Sequence, residues 1–295
     1  MRTAKPRKPL RTRKPRKERI DPGMKRFNAA PALLPFVAGG AVAGVLLAFS
    51  SGSRGWALAG MAAMWFCACF FGLLALYVLF LALSVLLIPA REGVPRPFFR
   101  AVISYTEGLI AALCRVRLRV SGLEKLPEGT WLLVCNHRSS FDPLLTGWAL
   151  RRKKLVFVTK PSLWRVPILG GFLRGACFLS IDRENDRAAL KTILEAARMI
   201  REGTTSVGIY PEGTRSIDGG LLPFRNGAFK IAQRAGAPIV IAVIAGAEKI
   251  FRRFPWRSTE VSLEIRGVLD TASVKSLNTT QIGEIVRTCM NSTSC

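Results

Sequence analysis

The stretch WLLVCNHRSSFDP, residues 131–143, decides the fold that the sequence predicts. Its first five residues, Trp131 to Cys135, are continuously apolar, which is typical of a strand buried on both faces of a parallel sheet. A short polar turn follows at once, and Asp142 stands where the next helix would begin. The stretch therefore indicates a strand, a turn and a helix in succession, as in an α/β domain.

The same alternation of apolar strands and helices continues on both sides of this stretch, and it shows no internal repeat. The predicted strands are Arg115–Val120, Trp131–Cys135, Leu155–Thr159, Cys177–Ile181, Ser206–Tyr210, Ile239–Ala245 and Val261–Val268. The predicted helices cover about 141–151, 187–201, 226–235 and 279–290, with Asp186 as the N-cap of the second. Together they predict an α/β fold with a buried, largely parallel sheet.

The first ninety residues have a different composition. Residues 1–27 are rich in Pro, Arg and Lys, which predicts a disordered basic arm. Residues 31–90 contain one charged side chain, Arg54, in a polar turn between two apolar runs. The first run is about one bilayer thick as a helix, and the second, Trp56–Ala90, is best explained by a single long or tilted helix. We therefore expect a transmembrane hairpin over 28–90 and a separate domain over 91–295.

Positive charge at both ends of the hairpin predicts its orientation. The basic arm precedes the first span, and Arg91, Arg96 and Arg100 follow the second. Since basic residues remain on the cytoplasmic side, both termini and the domain over 91–295 are expected to be cytoplasmic. Residues 97–115 mix apolar and charged positions at helical spacing, which fits an interfacial helix or an ordinary core-facing one. A compact chain of this kind is more typical of bacteria, so a bacterial cell membrane is the expected location.

The net charge of +25 favours anionic partners, which include lipid headgroups, phosphorylated substrates and nucleic acid. Seven cysteines without a CxxC pair are interpreted as small apolar residues in a reducing compartment rather than as a disulfide framework. With a single histidine and no finger-like cysteine spacing, no metal site is expected.

The single histidine, His137, follows the buried strand at its carboxyl end, where α/β folds place their active sites. The turn between His137 and Asp142 is long enough to bring the carboxylate back onto the imidazole. That contact would fix the tautomer and leave the other ring nitrogen free to accept a proton. The alternative is an ordinary histidine followed by a helix-capping aspartate.

Several ordered blocks resemble the glycerolipid acyltransferase family, whose best-known members acylate lysophosphatidic acid. NHRSSFD matches the family's H-x4-D signature, and YPEGTRS at 210–216 is nearly identical to a later block. FVTK at 157–160, GACFLSIDR at 175–183 and LPFRNGA at 222–228 resemble further blocks in the family's order. The similarity covers roughly residues 115–250.

The resemblance implies direct acyl transfer, without an acyl-enzyme. In the family the imidazole deprotonates an acceptor hydroxyl, which attacks an acyl thioester, so His137 is the expected base and Asp142 its orienter. Ser139 and Ser140 are then turn or capping residues, and no G-x-S-x-G elbow is present.

The family assigns the block at 212–215 to gripping the acceptor's phosphate. That role is carried over to Gly213, Thr214 and Arg215, since arginine binds phosphate in a bidentate fashion. Glu212, in the same group, is expected to orient Arg215 or the backbone. Lys160 and Arg183 end strands and are expected to converge on the same anionic group, although surface cations are also common there.

One block departs from the family pattern. The family's last block usually reads P-I-V-P-V, whereas Pro238 is followed here by Ile239, Val240 and Ile241. The family associates this region with the acyl pocket, so the preferred acyl-chain length stays open.

The expected reaction is acylation of the sn-2 hydroxyl of 1-acyl-sn-glycerol-3-phosphate, which gives phosphatidic acid for phospholipid synthesis. Acyl-CoA or acyl-carrier protein is the expected co-substrate, with no other cofactor, and anionic phospholipids are the expected partners. One alternative is acylation of another lysolipid or of glycerol phosphate. A second is a catalytically inactive, membrane-tethered protein that binds anionic lipid or nucleic acid, although no nucleic-acid partner is expected.

Overall fold

The apolar segments predicted as strands lie side by side in one sheet. The computed structural model describes residues 24–50, 52, 55–88, 95–216, 218 and 220–292. Within these ranges the strands are β1 Lys25–Phe27, β2 Val116–Ser121, β3 Leu132–Cys135, β4 Leu155–Thr159, β5 Leu179–Ser180, β6 Ser206–Ile209, β7 Ile239–Ala245 and β8 Thr259–Leu269. Their order across the sheet is β1-β2-β8-β7-β3-β6-β4-β5.

The sheet is largely parallel, as predicted. β3 lies between β7 and β6 and is parallel to both, and β4 is parallel to β6 and β5. The antiparallel pairs are β7–β8 and β1–β2. β8 therefore begins at the edge where β7 ends, and β2, which is parallel to β8, begins there too. We call this edge, which carries the carboxyl ends of β3, β4, β6 and β7, the carboxyl edge.

Helices cover both faces of the sheet. The helices are α1 Leu34–Ser50, α2 Gly55–Leu87, α3 Pro97–Leu113, α4 Asp142–Ala149, α5 Leu169–Gly175, α6 Asp186–Arg201, α7 Lys230–Ala235, α8 Ile250–Arg253, α9 Thr271–Ser276 and α10 Thr279–Asn291. Short 3-10 turns occupy Ala30–Leu33, Leu123–Lys125, Pro161–Arg165, Asn226–Phe229 and Ala247–Lys249.

The continuous apolar runs of the central strands follow from this layered arrangement. Leu132 and Val134 of β3 belong to a core shared with α6, α7 and α10, whereas Trp131, Leu133 and Cys135 belong to a second core shared with α3 and α4. Successive side chains point to opposite faces of a strand, and both faces are buried here. An alternating polar pattern would therefore have left polar groups inside one of the two cores.

The two apolar runs near the N-terminus form a helical hairpin. Gly44 and Gly40 let α1 approach α2 closely, because a Cβ at Gly44 would lie 2.8 Å from the backbone nitrogen of Phe66. Ala30–Ser50 and Gly55–Leu87 are long and apolar enough to cross a membrane, and only 6% of the most apolar window of α2 is buried. A core helix would be mostly covered, so the hairpin indicates association with a membrane.

The structure corrects several details of the sequence prediction. Lys25–Phe27 form an edge strand, so the disordered arm predicted over 1–27 is wrong at its last residues, while residues 1–23 lie outside the described ranges. The N-cap of α6 is Asn185, whose side chain accepts from the nitrogen of Ala188, and Asp186 is the first helical residue. β5 spans only Leu179–Ser180 rather than 177–181.

The cysteine prediction also needs one correction. Cysteines 67, 69, 114, 135 and 177 are not disulfide-bonded, as expected. Cys289, near the end of α10, is disulfide-bonded, so the expectation of small reduced residues is wrong there. Spacing along the sequence reports only local pairs such as CxxC, and it carries no signal for this bond.

Candidate active site

The turn after β3 brings His137 and Asp142 together. The imidazole Nδ1 lies 2.9 Å from Asp142 Oδ2, and the same oxygen accepts hydrogen bonds from the backbone nitrogens of Arg138 and Ser139, both at 2.6 Å. The Asp142 side chain is fully buried, whereas that of His137 is 17% exposed. Because a carboxylate only accepts, the neutral imidazole carries its proton on Nδ1, and Nε2 is free to act as a base.

Glu212 fixes the backbone on which His137 sits. This buried carboxylate accepts from the nitrogen of His137 at 2.7 Å through one oxygen and from the nitrogen of Leu222 at 2.9 Å through the other. The nitrogen of Ser216 also donates to the carbonyl oxygen of His137 at 2.8 Å. Glu212 therefore links its own loop to the turn that carries His137 and to the segment at Leu222. Of the two roles predicted for it, the contacts fit orientation of the backbone.

Tyr210 contacts the imidazole, and Asn136 fixes the end of the strand that precedes it. The ring of Tyr210, at the end of β6, lies 4.6 Å from the imidazole centroid and tilts by 32°. Asn136 donates to the carbonyl oxygen of Ile244 at 3.0 Å and accepts from its nitrogen at 2.7 Å, which ties the end of β3 to β7. Burial, with the nearby Cys135 and Asp142, raises the pKa of Tyr210 well above its usual value, so its hydroxyl stays neutral.

The dyad opens onto a cavity of about 680 Å³ at the carboxyl edge. Its inner wall is largely apolar, and its cationic side chains come from several segments that follow strands. The apolar wall is formed by Phe157, Val158, Leu163, Ala189, Leu190, Ile193, Ile209 and Tyr210. The cationic lining residues are Lys160, Arg183, Arg215, Arg225 and Lys230. A cavity of this character suits a ligand with an acyl chain and an anionic headgroup.

The basic residues of the cavity are held close to Gly213. This glycine adopts a φ of +73°, and a Cβ there would lie 3.0 Å from Arg225 Nε and 3.4 Å from Arg183 Nη1. Burial, together with repulsion from Arg225, lowers the pKa of Arg183. An anion between these two side chains would relieve that repulsion. Arg215 Nη1 donates to Ser140 Oγ at 2.8 Å, which places the arginine beside the catalytic turn.

The structure brings most of the predicted site residues to one cavity, but not all of them. His137, Lys160, Arg183, Gly213 and Arg215 line it, and Asp142 lies directly behind the histidine. The two remaining residues are placed differently: Thr214 is exposed and is not among the lining residues, and Glu212 bonds to backbone nitrogens. Arg225, within the LPFRNGA block at 222–228, lines the cavity as well, and the sequence predicts no role for it.

The last motif, with its missing proline, does not reach the cavity. Ile241 is buried in β7, in the core shared with α6, α7 and α10, and it is not a lining residue. Among the residues that the structure describes, no group of three or more His, Cys, Asp or Glu side chains could hold a metal ion.

A strand-end histidine oriented by a buried carboxylate, beside an apolar cavity with a basic lining, is suited to general-base chemistry on a ligand with an apolar and an anionic part. The family model described as "Acyltransferase" matches residues 117–245, which include β3, β4, β6, β7 and the whole dyad. Over these residues the chain is therefore similar to the acyltransferase family.

Curated relatives agree with this assignment. The chain is 28% identical over 209 residues to a 1-acyl-sn-glycerol-3-phosphate acyltransferase from Limnanthes douglasii, with 67% of this chain and 74% of the relative covered. It is 34% identical over 143 residues to an enzyme of the same name from Haemophilus influenzae, with 48% and 58% covered. It is 29% identical over 214 residues to the alpha enzyme of that name from Homo sapiens, with 69% and 74% covered.

A solved structure supports the fold. The crystal structure of PlsC, the 1-acyl-sn-glycerophosphate (LPA) acyltransferase from Thermotoga maritima, superposes with a TM-score of 0.51 at 23% identity. The match covers 72% of this chain and 86% of that one.

Proposed function

We propose that this chain transfers an acyl group from a thioester to the sn-2 hydroxyl of 1-acyl-sn-glycerol-3-phosphate, giving phosphatidic acid for phospholipid synthesis. The observation that carries the proposal is the 2.9 Å contact between His137 Nδ1 and the buried Asp142, at a cavity with an apolar wall and a basic lining. The acceptor is the one after which the three relatives are named, which supports this choice.

The proton transfers follow from the orientation of the imidazole. His137 Nε2 accepts the proton of the acceptor hydroxyl as its oxygen attacks the thioester carbonyl carbon. The carboxylate of Asp142 stabilises the imidazolium that forms. The tetrahedral intermediate then collapses with cleavage of the C–S bond, and the thiolate leaves with the proton held by His137. An ester and a free thiol are the products, so atoms and charge balance without an acyl-enzyme.

The acceptor's phosphate is assigned to the basic lining of the cavity. Arg215 lies beside the catalytic turn, and Arg183 and Arg225 flank Gly213. Lys160 lines the same cavity from the end of β4. An arginine pair offers donors in a geometry that matches phosphate oxygens. The apolar wall would then take an acyl chain.

The membrane setting is proposed from charge and hydropathy. The domain over 91–295 and both termini would lie on the cytoplasmic side of a cell membrane, because basic residues flank the two apolar helices. Acyl-CoA or acyl-carrier protein would deliver the chain from that side, and lysophosphatidic acid would arrive from the bilayer. The bacterial origin expected from the sequence stays a prediction.

The test is an acceptor panel with the purified protein in detergent or lipid. Labelled acyl-CoA or acyl-carrier protein is offered with lysophosphatidic acid, other lysolipids and glycerol phosphate, beside His137→Ala. We expect product with lysophosphatidic acid and a fall of about 10² to 10⁴ in rate for the variant, the range of general-base catalysis.

Each other outcome has a definite meaning. Product only with another acceptor would keep the mechanism and overturn the proposed substrate. No product from either donor, with the protein folded, would contradict the enzyme and favour an inactive lipid-binding protein.

A further inference from the structure

Residues 249–257, KIFRRFPWR, form an exposed aromatic and basic segment that the reaction does not use; we call it the 249–257 loop. The exposed fractions of Phe251, Phe254 and Trp256 are 71%, 48% and 83%. Lys249, Arg252, Arg253 and Arg257 are also exposed, and the segment contains no acidic residue. Large aromatic side chains are normally covered, so three exposed ones within the six residues 251–256, next to arginines, indicate a binding surface.

The 249–257 loop is anchored beside the catalytic turn. Ile250 is buried, and the Phe251 ring lies 5.0 Å from that of Phe141, the residue before Asp142. Arg115 Nη1 donates to the carbonyl oxygens of Pro255 and Trp256, both at 3.2 Å. Because the loop connects the end of β7 to the start of β8, it lies on the same edge of the sheet as the dyad.

The hairpin leaves the domain from this same edge. β1 is antiparallel to β2, so the chain runs through Phe27 toward the edge where β2 begins and then enters α1. α2 runs antiparallel to α3, because Phe80 packs near Phe98 and Tyr77 near Tyr105. Only eight residues of α3 follow Tyr105, so the first part of α2 extends past the end of α3, which immediately precedes β2. A bilayer that contains the hairpin therefore lies on the same side of the domain as the 249–257 loop.

We propose that the 249–257 loop binds a negatively charged bilayer surface and so holds the carboxyl edge of the sheet against it. Aromatic rings with adjacent cations suit the region between headgroups and acyl chains, and arginines gain free energy from anionic lipids. The four cations and the absence of acids favour an anionic lipid surface over a neutral one. The contact goes beyond the proposed reaction and does not depend on which acceptor is used.

The test is the quenching of Trp256 emission by brominated lipids. The full chain is reconstituted in vesicles of phosphatidylcholine alone or with phosphatidylglycerol, and the emission of Trp256→Phe is subtracted from that of the wild type, which cancels the other five tryptophans. We expect the difference emission to be quenched by lipids brominated near the headgroup, and more strongly when phosphatidylglycerol is present. No substrate is added, so the result is independent of the proposed function.

The charge contribution is tested in the same assay with Arg252→Ser/Arg253→Ser. Each arginine near an anionic surface changes the ratio of docked to undocked loop by about fivefold. We therefore expect strong loss of the phosphatidylglycerol dependence, whereas Arg201→Ser/Arg234→Ser, which removes two exposed charges from α6 and α7, should leave it unchanged.

Three results would overturn the proposal. Trp256 could remain unquenched in every bilayer, or its quenching could be equal in all lipids and indifferent to the two arginines. Its emission could also respond only when an acidic acyl-carrier protein is added, which would make the loop a protein contact.

Discussion

Replacing Asp142 with asparagine separates the charge of the dyad from its geometry. Asp142 Oδ2 accepts from Nδ1 of His137 and from the nitrogens of Arg138 and Ser139. An asparagine can keep an accepting oxygen at that position, so both backbone donors and the imidazole remain bonded. What is lost is the negative charge opposite the imidazolium that forms as the acceptor is deprotonated.

The size of the loss follows from the distance. Two unit charges 2.9 Å apart, the separation of Nδ1 and Oδ2, interact by about 6 kcal/mol at an effective dielectric constant near 20. If about half of the charge has developed in the transition state, the barrier rises by about 3 kcal/mol, which is roughly a hundredfold in rate. The expected result for Asp142→Asn is therefore a kcat about a hundredfold lower, with a KM close to that of the wild type.

Asp142→Ala is the matched comparison. It leaves two backbone donors without an acceptor, that of Ser139 buried and that of Arg138 partly buried, each worth about 1–3 kcal/mol, so the free energy of unfolding should also fall by about 2–6 kcal/mol. Initial rates with labelled thioester and denaturant titrations of both variants measure the two effects. Turnover of Asp142→Asn within threefold of the wild type would refute the electrostatic argument. Equal losses of rate and stability in the two variants would refute the separation of charge from geometry.

Three further predictions concern the neighbouring loop. Glu212→Gln should lower the free energy of unfolding by about 1.5–3 kcal/mol, measured by denaturant titration, because one of two charge-assisted bonds to backbone nitrogens is lost. Gly213→Ala should lower the free energy of unfolding by about 1–2 kcal/mol because of its φ of +73°, and it should displace Arg225 and so raise the KM for the phosphorylated acceptor. Gly220→Ala, where a Cβ meets no atom within 4 Å, is the control. Equal effects of the two substitutions would contradict the reasoning. Arg215→Ala should lower kcat/KM for that acceptor by about tenfold to a hundredfold, with partial recovery in Arg215→Lys, whereas unchanged kinetics would remove Arg215 from the phosphate site.

The strands of the parallel core could be predicted because burial on both faces leaves a direct mark on the sequence. Trp131–Cys135 and Ile239–Ala245 are unbroken apolar runs, and each forms a strand within one residue of its predicted bounds. β1 carries no such mark: Lys25 and Arg26 are exposed, and the strand exists only because β2 offers it an edge. The reversed direction of β8 depends on the path of the chain over 246–258, and periodicity does not report strand direction.

The contacts of the site also divide into those that the sequence could predict and those that it could not. His137 and Asp142 are five residues apart, so a local turn joins them and the sequence alone was sufficient to pair them. Arg225 reaches Gly213 from twelve residues further along the chain, and Tyr210 meets the imidazole from a neighbouring strand. The contact of Tyr210 depends on the order of strands in the sheet, and that of Arg225 depends on how the loop after β6 folds back on itself. The sequence carries one signal for a role of Arg225, which is its position inside the LPFRNGA block at 222–228.

The most direct test of the central claim, one-step transfer with His137 as the base, is to follow thiol release against acceptor concentration in the wild type and in His137→Ala. Free CoA or carrier-protein thiol is separated by chromatography while the labelled acyl chain is followed in lipid and in protein. We predict that thiol appears in step with esterified product, only when lysophosphatidic acid is present, and that His137→Ala is slower by at least a hundredfold. One-step transfer would be contradicted by a burst of thiol without acceptor, with label on the protein. The role of His137 as the base would be contradicted if the rate of His137→Ala were within tenfold of the wild type.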